Sequence, residues 1–99
     1  MADRIRIEGT LTNNAVLAYM PGREPSAVLT FDIKPAKGLP YRIRQVIGTD
    51  PTLQMITAAK VPILRKGAEV AVYAAGLRVT SDHGTAGLLA IDVTEVHPT

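Results

Sequence analysis

Residues 41–60 read YRIRQVIGTDPTLQMITAAK, and a strand pattern changes into a helix pattern within this stretch. Residues 41–47 predict a half-buried strand whose arginines face outward. Thr49 or Asp50 can cap a helix, and Pro51 fits the first turn, where its missing N–H costs nothing. The stretch therefore predicts one strand followed directly by one helix.

The helix is expected to be short. Leu53, Ile56 and Ala59 recur at helical spacing and predict about three turns. Pro62 then ends the helix, because a proline in a helix interior clashes with the preceding turn.

Two strands are predicted before this stretch. Residues 4–11 alternate apolar and polar side chains, and Gly9 within them indicates a bulge or a sharp bend. Residues 15–19 form a short extended piece that ends at the corner of residues 21–22. Residues 27–34 alternate again and predict the second long strand.

Two more strands are predicted after the helix, at residues 70–74 and 89–93, with a hairpin tip at residues 81–84. The predicted order is three strands, one helix, two strands. This order is typical of the OB-fold, so we expect an all-β chain with one short helix, folded as a five-stranded Greek-key barrel in a single domain over residues 1–99. A split sandwich with the same number of strands is the alternative.

Composition limits the classes of protein. The 99 residues are 46% apolar and 20% charged, which is typical of one folded globular domain. There is no cysteine, which excludes disulfides and thiolate sites, and the net charge is only +2. No apolar run approaches the roughly 20 residues that span a bilayer, and the first residues do not resemble a leader. We expect a cytoplasmic protein without membrane contact.

Four short segments carry a family resemblance. They are IEGTL at 7–11, YMPG at 19–22, LRKGAEV at 64–70 and GLR at 76–78. In their order and spacing they resemble the bacterial single-stranded-DNA-binding protein family and its shorter relative, the primosomal replication protein N family, over roughly residues 4–97. The resemblance implies an OB-fold that forms homodimers or homotetramers and binds single-stranded DNA largely independently of sequence.

The chain also departs from this family. It has no tryptophan and only four aromatic residues, Tyr19, Phe31, Tyr41 and Tyr73, and Tyr41 stands where the family has a stacking tryptophan. Each stacked base is worth about 1–3 kcal/mol, so electrostatic contacts would have to carry more of the binding. Residues 95–99 do not resemble the family's acidic tip, and we expect no recruitment of other enzymes through such a tail.

Two pairs of arginines are the main candidates for binding phosphates. Arg4 and Arg6 flank Ile5, and Arg42 and Arg44 flank Ile43. If their strands are neighbours, four guanidiniums line one groove. The alternative is a solvated surface on which Glu8 and Asp32 pair with these arginines.

Further candidates lie in the loops beside such a groove. Lys34 and Lys37 precede the third strand, and Arg78 and His83 belong to the last hairpin. Tyr41 is a candidate for stacking, although strict alternation turns it inward with Ile43 unless the strand contains a bulge.

The predicted function is therefore sequence-independent binding of single-stranded DNA in replication, recombination or repair. The predicted nucleic-acid-binding residues are Arg4, Arg6, Lys34, Lys37, Tyr41, Arg42, Arg44 and Arg78. The alternative is an OB-fold protein-interaction module with weak or no DNA binding, in which Ala71, Tyr73 and Ala75 dock a partner. We expect no enzymatic activity, metal or cofactor, because His83 and His97 are the only histidines and neither lies in a ligand cluster.

Overall fold

The computed structural model describes residues 4–82 and 85–99. This part of the chain is all-β with one short helix, which confirms the predicted class. The elements are β1 (Ile5–Leu11), β2 (Val16–Met20), β3 (Ser26–Lys34), β4 (Tyr41–Gly48), α1 (Pro51–Lys60), β5 (Glu69–Ala74), β6 (Gly76–Asp82), β7 (Thr85–Ile91) and β8 (Glu95–Pro98).

The described residues form eight strands, where the sequence predicted five. The extended piece expected at residues 15–19 is a strand of its own, β2. The predicted fourth strand is followed by β6 after a break at Ala75. The predicted fifth strand, residues 89–93, covers the end of β7 and runs into a break at residues 92–94, after which β8 follows. Alternation marks extended backbone, but it does not show where a strand bends and changes its partner.

All eight strands belong to one sheet, in the order β6-β7-β4-β3-β1-β5-β8, with β2 paired to β3. Neighbouring strands are antiparallel except β4 and β7, which run parallel. β5 pairs antiparallel with β1 on one side and with β8 on the other, where Val72 faces Val96. Strands that are distant in sequence thus become neighbours, and their buried residues form one core.

The core is formed by the inward rows of these strands. Phe31 and Ile33 on β3, Ile43 on β4 and Val72 on β5 are all 1% exposed or less. Leu64, in the connection after α1, closes one end of this cluster. The large apolar residues of β3 and β4 therefore serve packing, while the alternate residues remain at the surface.

Gly9 permits a close approach between two strands. A Cβ at this position would lie 2.9 Å from the carbonyl oxygen of Lys34. β1 stays in register with β5 on both sides of Gly9. Gly9 is therefore a point of close backbone approach, and the expected bulge lies elsewhere: the pairing of β3 with β4 shifts between Ala27 and Val28.

The helix begins as predicted. Asp50 is its N-cap and accepts a hydrogen bond from the backbone N–H of Thr52 at 2.9 Å, and Pro51 occupies the first turn. Two of its apolar residues are only partly packed: Leu53 is 48% exposed and Ile56 50% exposed. Helical spacing correctly indicated the helix, but the apolar side of α1 is only partly covered.

Across residues 4–82 and 85–99, no helix has the length and apolar character needed to cross a membrane.

Candidate functional site

Three arginines share the outer surface of the sheet. Arg42 on β4 pairs with Leu89 on β7, and Leu89 pairs with Arg78 on β6. Residues paired across strands point to the same side of a sheet, so Arg42 and Arg78 flank Leu89 in one row. Arg44 lies on the same side, two residues further along β4. We call the surface formed by Arg42, Arg44, Arg78 and Leu89 the arginine face.

A cavity of about 410 Å³ opens in the arginine face between Arg44 and Arg78. Val46, Leu89, Ala90 and Val93 give it an apolar lining, and Asp92 and Thr94 add polar groups. Guanidinium groups donate paired hydrogen bonds to phosphate oxygens, and apolar walls suit a planar ring. The site therefore combines guanidinium groups that can bind a phosphate with a recess that can hold a planar ring attached to that phosphate.

Arg42 takes part in a hydrogen-bond network with Asp32 on β3 and with Asn13. Its Nε donates to Oδ1 of Asp32 at 3.2 Å. The Asn13 side-chain amide donates to Oδ2 of Asp32 at 3.0 Å, and the Asp32 backbone N–H donates to Oδ1 of Asn13 at 2.9 Å. This network orients Arg42 and offsets part of its charge. Arg44 and Arg78 line the cavity together with Asp92, so two guanidiniums face one carboxylate there.

The other predicted pair of arginines lies in a different part of the sheet. Arg4 Nη1 donates to Oε2 of Glu95 at 2.9 Å, and Cζ of Arg4 lies 5.1 Å from the centroid of the Tyr73 ring. Arg6 Nη2 lies 2.7 Å from Oε1 of Glu8. This cluster lies at the start of β1 and on the neighbouring β5 and β8, and both guanidiniums have carboxylate partners. The predicted alternative of a solvated surface paired with Glu8 and Asp32 applies to Arg6, which pairs with Glu8, and to Arg42, which pairs with Asp32. Arg4 is also paired, but with Glu95.

The register shows how far apart the two pairs of arginines are. Thr10 on β1 pairs with Lys34 on β3, whereas Arg44 pairs with Thr30. Arg6 lies four residues before Thr10 on β1. Because β1 and β3 are antiparallel, Thr30 lies four residues from Lys34 on the opposite side of the Thr10–Lys34 pair, so the two offsets add to eight residues. At about 3.3 Å per residue, Arg6 and Arg44 are separated by about 25 Å along the strands. The expected groove lined by all four arginines is not formed.

Tyr41 is directed away from the arginine face. The pairing of residues 41–46 with β3 is uninterrupted, so Tyr41 shares the inner side with Ile43 and packs partly against the core. The shift between Ala27 and Val28 lies at the other end of β4 and does not reverse Tyr41. The alternation of the sequence therefore describes this strand correctly, and the resemblance placed Tyr41 on the opposite side.

The two predicted loop lysines lie away from the arginine face, Lys34 at a second cavity and Lys37 in the connection between β3 and β4. Lys34 is exposed at the end of β3 and lines a cavity of about 670 Å³ together with Glu8 and Glu69. These carboxylates make that cavity unfavourable for a polyanion. Lys37 is exposed in the connection from β3 to β4. His83 lies outside the described residues.

The surface proposed for protein docking is less open than the sequence suggested. Ala71 is buried, and Tyr73 is half-buried beneath Arg4, with the His97 ring edge-on at 6.1 Å. Ala75 alone of the three is exposed. Larger exposed apolar side chains occur on β2 and α1 instead.

Sequence reasoning missed the cavity because its walls come from three strands. The parallel pairing of β4 with β7 brings Arg44 close to Arg78, Leu89 and Asp92, and no local sequence pattern predicts that pairing.

In the portion of the chain that the structure describes, no group of three or more His, Cys, Asp or Glu side chains is arranged to hold a metal ion. No protein-family model and no curated protein matches this sequence at a significant level.

Proposed function

We propose that the curled sheet is an OB-type barrel whose arginine face binds single-stranded DNA. Support for the barrel comes from the strand pairing. β5 and β6 can be regarded as one strand interrupted at Ala75, and β7 and β8 as one strand interrupted at residues 92–94, because Tyr73 pairs with Glu95 and Gly76 with Ile91. Six strands then remain. If the short β2, which among the described strands pairs with β3 alone, is set aside, five are left, with α1 between the third and the fourth, as in a Greek-key OB barrel.

The position of the arginine face supports the binding role. In OB-folds, the second and third strands and the flanking loops contact oligonucleotides. Under the five-strand description these are β3 and β4, and Arg42 and Arg44 project from β4. The observation that carries the proposal is that Arg44 and Arg78 line one recess together with the apolar side chains of Val46 and Leu89.

The mechanism is electrostatic attraction followed by shallow insertion of bases. Guanidiniums of Arg44 and Arg78 bind successive phosphates, while Arg42, oriented by Asp32, contributes less charge. Val46 and Leu89 contact a base through aliphatic groups, which is weaker than stacking on an aromatic ring. Binding is therefore of modest affinity, largely independent of sequence, and sensitive to salt. The protein carries out no chemistry of its own and acts in the cytoplasm in replication, recombination or repair.

The test is titration of a fluorescent single-stranded oligonucleotide at low salt with a charge-reversed variant. Arg44→Glu combined with Arg78→Glu should abolish measurable binding. Arg65→Glu combined with Lys66→Glu changes the net charge equally, at exposed positions outside the arginine face, and should retain most of it. Equal losses in both variants, or no binding by the unmodified protein, would refute the proposal.

A second candidate function is protein interaction through α1. Met55 is 71% exposed, Leu53 48% and Ile56 50%, and Ile63 beyond the helix is 57% exposed. Exposed apolar side chains grouped in this way are typical of a contact surface. Leu53→Glu with Met55→Glu should leave oligonucleotide binding unchanged under the first proposal. Under the second proposal, the unmodified protein shows no oligonucleotide binding to lose.

A further inference from the structure

Asp92, at the break between β7 and β8, has an unusual backbone conformation. Its φ is 52°, and among the described residues other than glycine it alone has a positive φ. The neighbouring residues hold this corner from both sides. Ile91 pairs with Gly76 on β6, and the backbone N–H of Thr94 donates to the carbonyl oxygen of Tyr73 at 2.9 Å. The position of Asp92 at the rim of the cavity is therefore fixed by the fold.

The backbone does not require a carboxylate at this position. Asparagine and glycine adopt the left-handed region as readily as aspartate does. The negative charge of Asp92 opposes the attraction of a phosphate to Arg44 and Arg78, which line the same cavity. In the described part of the chain, no ion pair joins Asp92 to either of these arginines. Neither the backbone nor an ion pair with the arginines accounts for the carboxylate, which leaves a role toward a ligand in the cavity.

The cavity offers a ligand three kinds of group. Arg44 and Arg78 supply donors, Asp92 supplies two acceptor oxygens, and Val46 and Leu89 supply an apolar wall. Its volume of about 410 Å³ lies in the range of sites that hold small organic molecules. A base that lies against the wall would meet the carboxylate and a guanidinium at its edge.

We propose that Asp92 makes this cavity selective for guanine among the four bases. The inference rests on the proposed function: one nucleotide of the bound strand is recognised here, while the rest is held through its phosphates. Guanine carries two adjacent donors, N1–H and the N2 amino group, which a carboxylate accepts as a parallel pair. Its O6 and N7 accept a pair of hydrogen bonds from an arginine.

The other bases match this set of groups less well. Thymine has a single donor, N3–H, between two carbonyl oxygens that a carboxylate repels. Cytosine and adenine each present one amino group beside an acceptor nitrogen, so each can give the carboxylate one hydrogen bond instead of two. Because the cavity is open to solvent, we expect the lower part of the usual range for a paired contact, which is a preference of about 5- to 20-fold for guanine over thymine.

The test compares strands that differ in one base. An all-thymine oligonucleotide of about six nucleotides is titrated beside versions in which one central base is guanine or hypoxanthine, the base of deoxyinosine. The unmodified protein should bind the guanine strand about 5- to 20-fold more tightly than the thymine strand. Hypoxanthine lacks the N2 amino group but keeps N1–H, O6 and N7, so it should lose much of this preference. This comparison changes only the ligand and does not depend on the folding of a variant.

Asp92→Asn assigns the preference to the carboxylate. Asparagine keeps the shape and tolerates the same φ, but its amide group presents one acceptor and a donor that opposes N1–H or the N2 amino group of guanine. The variant should bind the guanine and hypoxanthine strands equally, and the thymine strand at least as tightly as the unmodified protein does. Glu69→Gln removes the same charge at an exposed position that lines the other cavity and should keep the guanine preference. A change by one common factor for all strands in Asp92→Asn would overturn the proposal.

The outcomes separate this inference from the function on which it rests. If strands bind through Arg44 and Arg78 with equal affinity for guanine and thymine, the inference fails and the proposed function stands. If no strand binds, guanosine and thymidine monophosphates are titrated while the NMR signals of Val46 and Leu89 are followed. Shifts with the guanosine nucleotide alone would refute the proposed function and retain the selectivity of the cavity, and shifts with neither nucleotide would refute both.

Discussion

Replacing Arg44 by Gln removes one guanidinium from the arginine face while preserving most of the side chain's length. Single-stranded nucleic acid releases counterions as its phosphates are neutralised, and the slope of log K against log salt is about −0.7 per contact. With each of the three arginines of the arginine face counted as one full contact, the slope is at most about −2.1, and removal of Arg44 leaves at most about −1.4. Between about 50 and about 200 mM salt, the unmodified protein then loses about 18-fold in affinity and Arg44→Gln about 7-fold.

Arg6→Gln is the matched control. It removes the same charge from the chain, but Arg6 is paired with Glu8 and lies about 25 Å along the strands from Arg44. The slope of this variant should remain at about −2.1. Fluorescence anisotropy of a labelled oligonucleotide at several salt concentrations measures all three slopes. If Arg6→Gln lowers the slope as much as Arg44→Gln, binding depends on total charge and the reasoning from the arginine face is wrong.

Three further predictions concern stability and can be measured by urea unfolding. Gly9→Ala should lower the free energy of unfolding by about 1–3 kcal/mol, because the new Cβ meets a backbone carbonyl of β3 at 2.9 Å. Gly22→Ala is the control and should have little effect, because its Cβ has no neighbour closer than 3.7 Å. Asp50→Ala should cost about 1 kcal/mol through loss of the helix cap, and Asp50→Asn should restore most of it; equal stability of the two variants would contradict the cap's role. Ile43→Val should cost about 0.5–1.5 kcal/mol in the core, and Ile56→Val, at a half-exposed position, clearly less; similar losses would show that α1 is packed more tightly than its exposure indicates.

Local patterns in the sequence were sufficient to identify β4 with the orientation of its side chains and the start of α1. The alternation in residues 41–46 correctly turned Ile43 inward and Arg42 and Arg44 outward, because burying an unpaired guanidinium is far costlier than burying an isoleucine. Asp50 and Pro51 correctly marked the start of α1, since capping depends on residues that adjoin the helix. In each case the decisive interaction lies within a few residues of the chain.

Tertiary structure alone decided which of these elements meet. Arg4 and Arg42 have nearly identical local patterns, yet Arg4 pairs with Glu95 and Arg42 with Asp32 in separate parts of the sheet. The partner of a strand is selected by hydrogen bonds and packing between distant segments, and these leave no local trace in either segment. For the same reason, the sequence showed that β2 is extended and apolar, and only the fold showed that, among the described strands, β2 has a partner on one side alone.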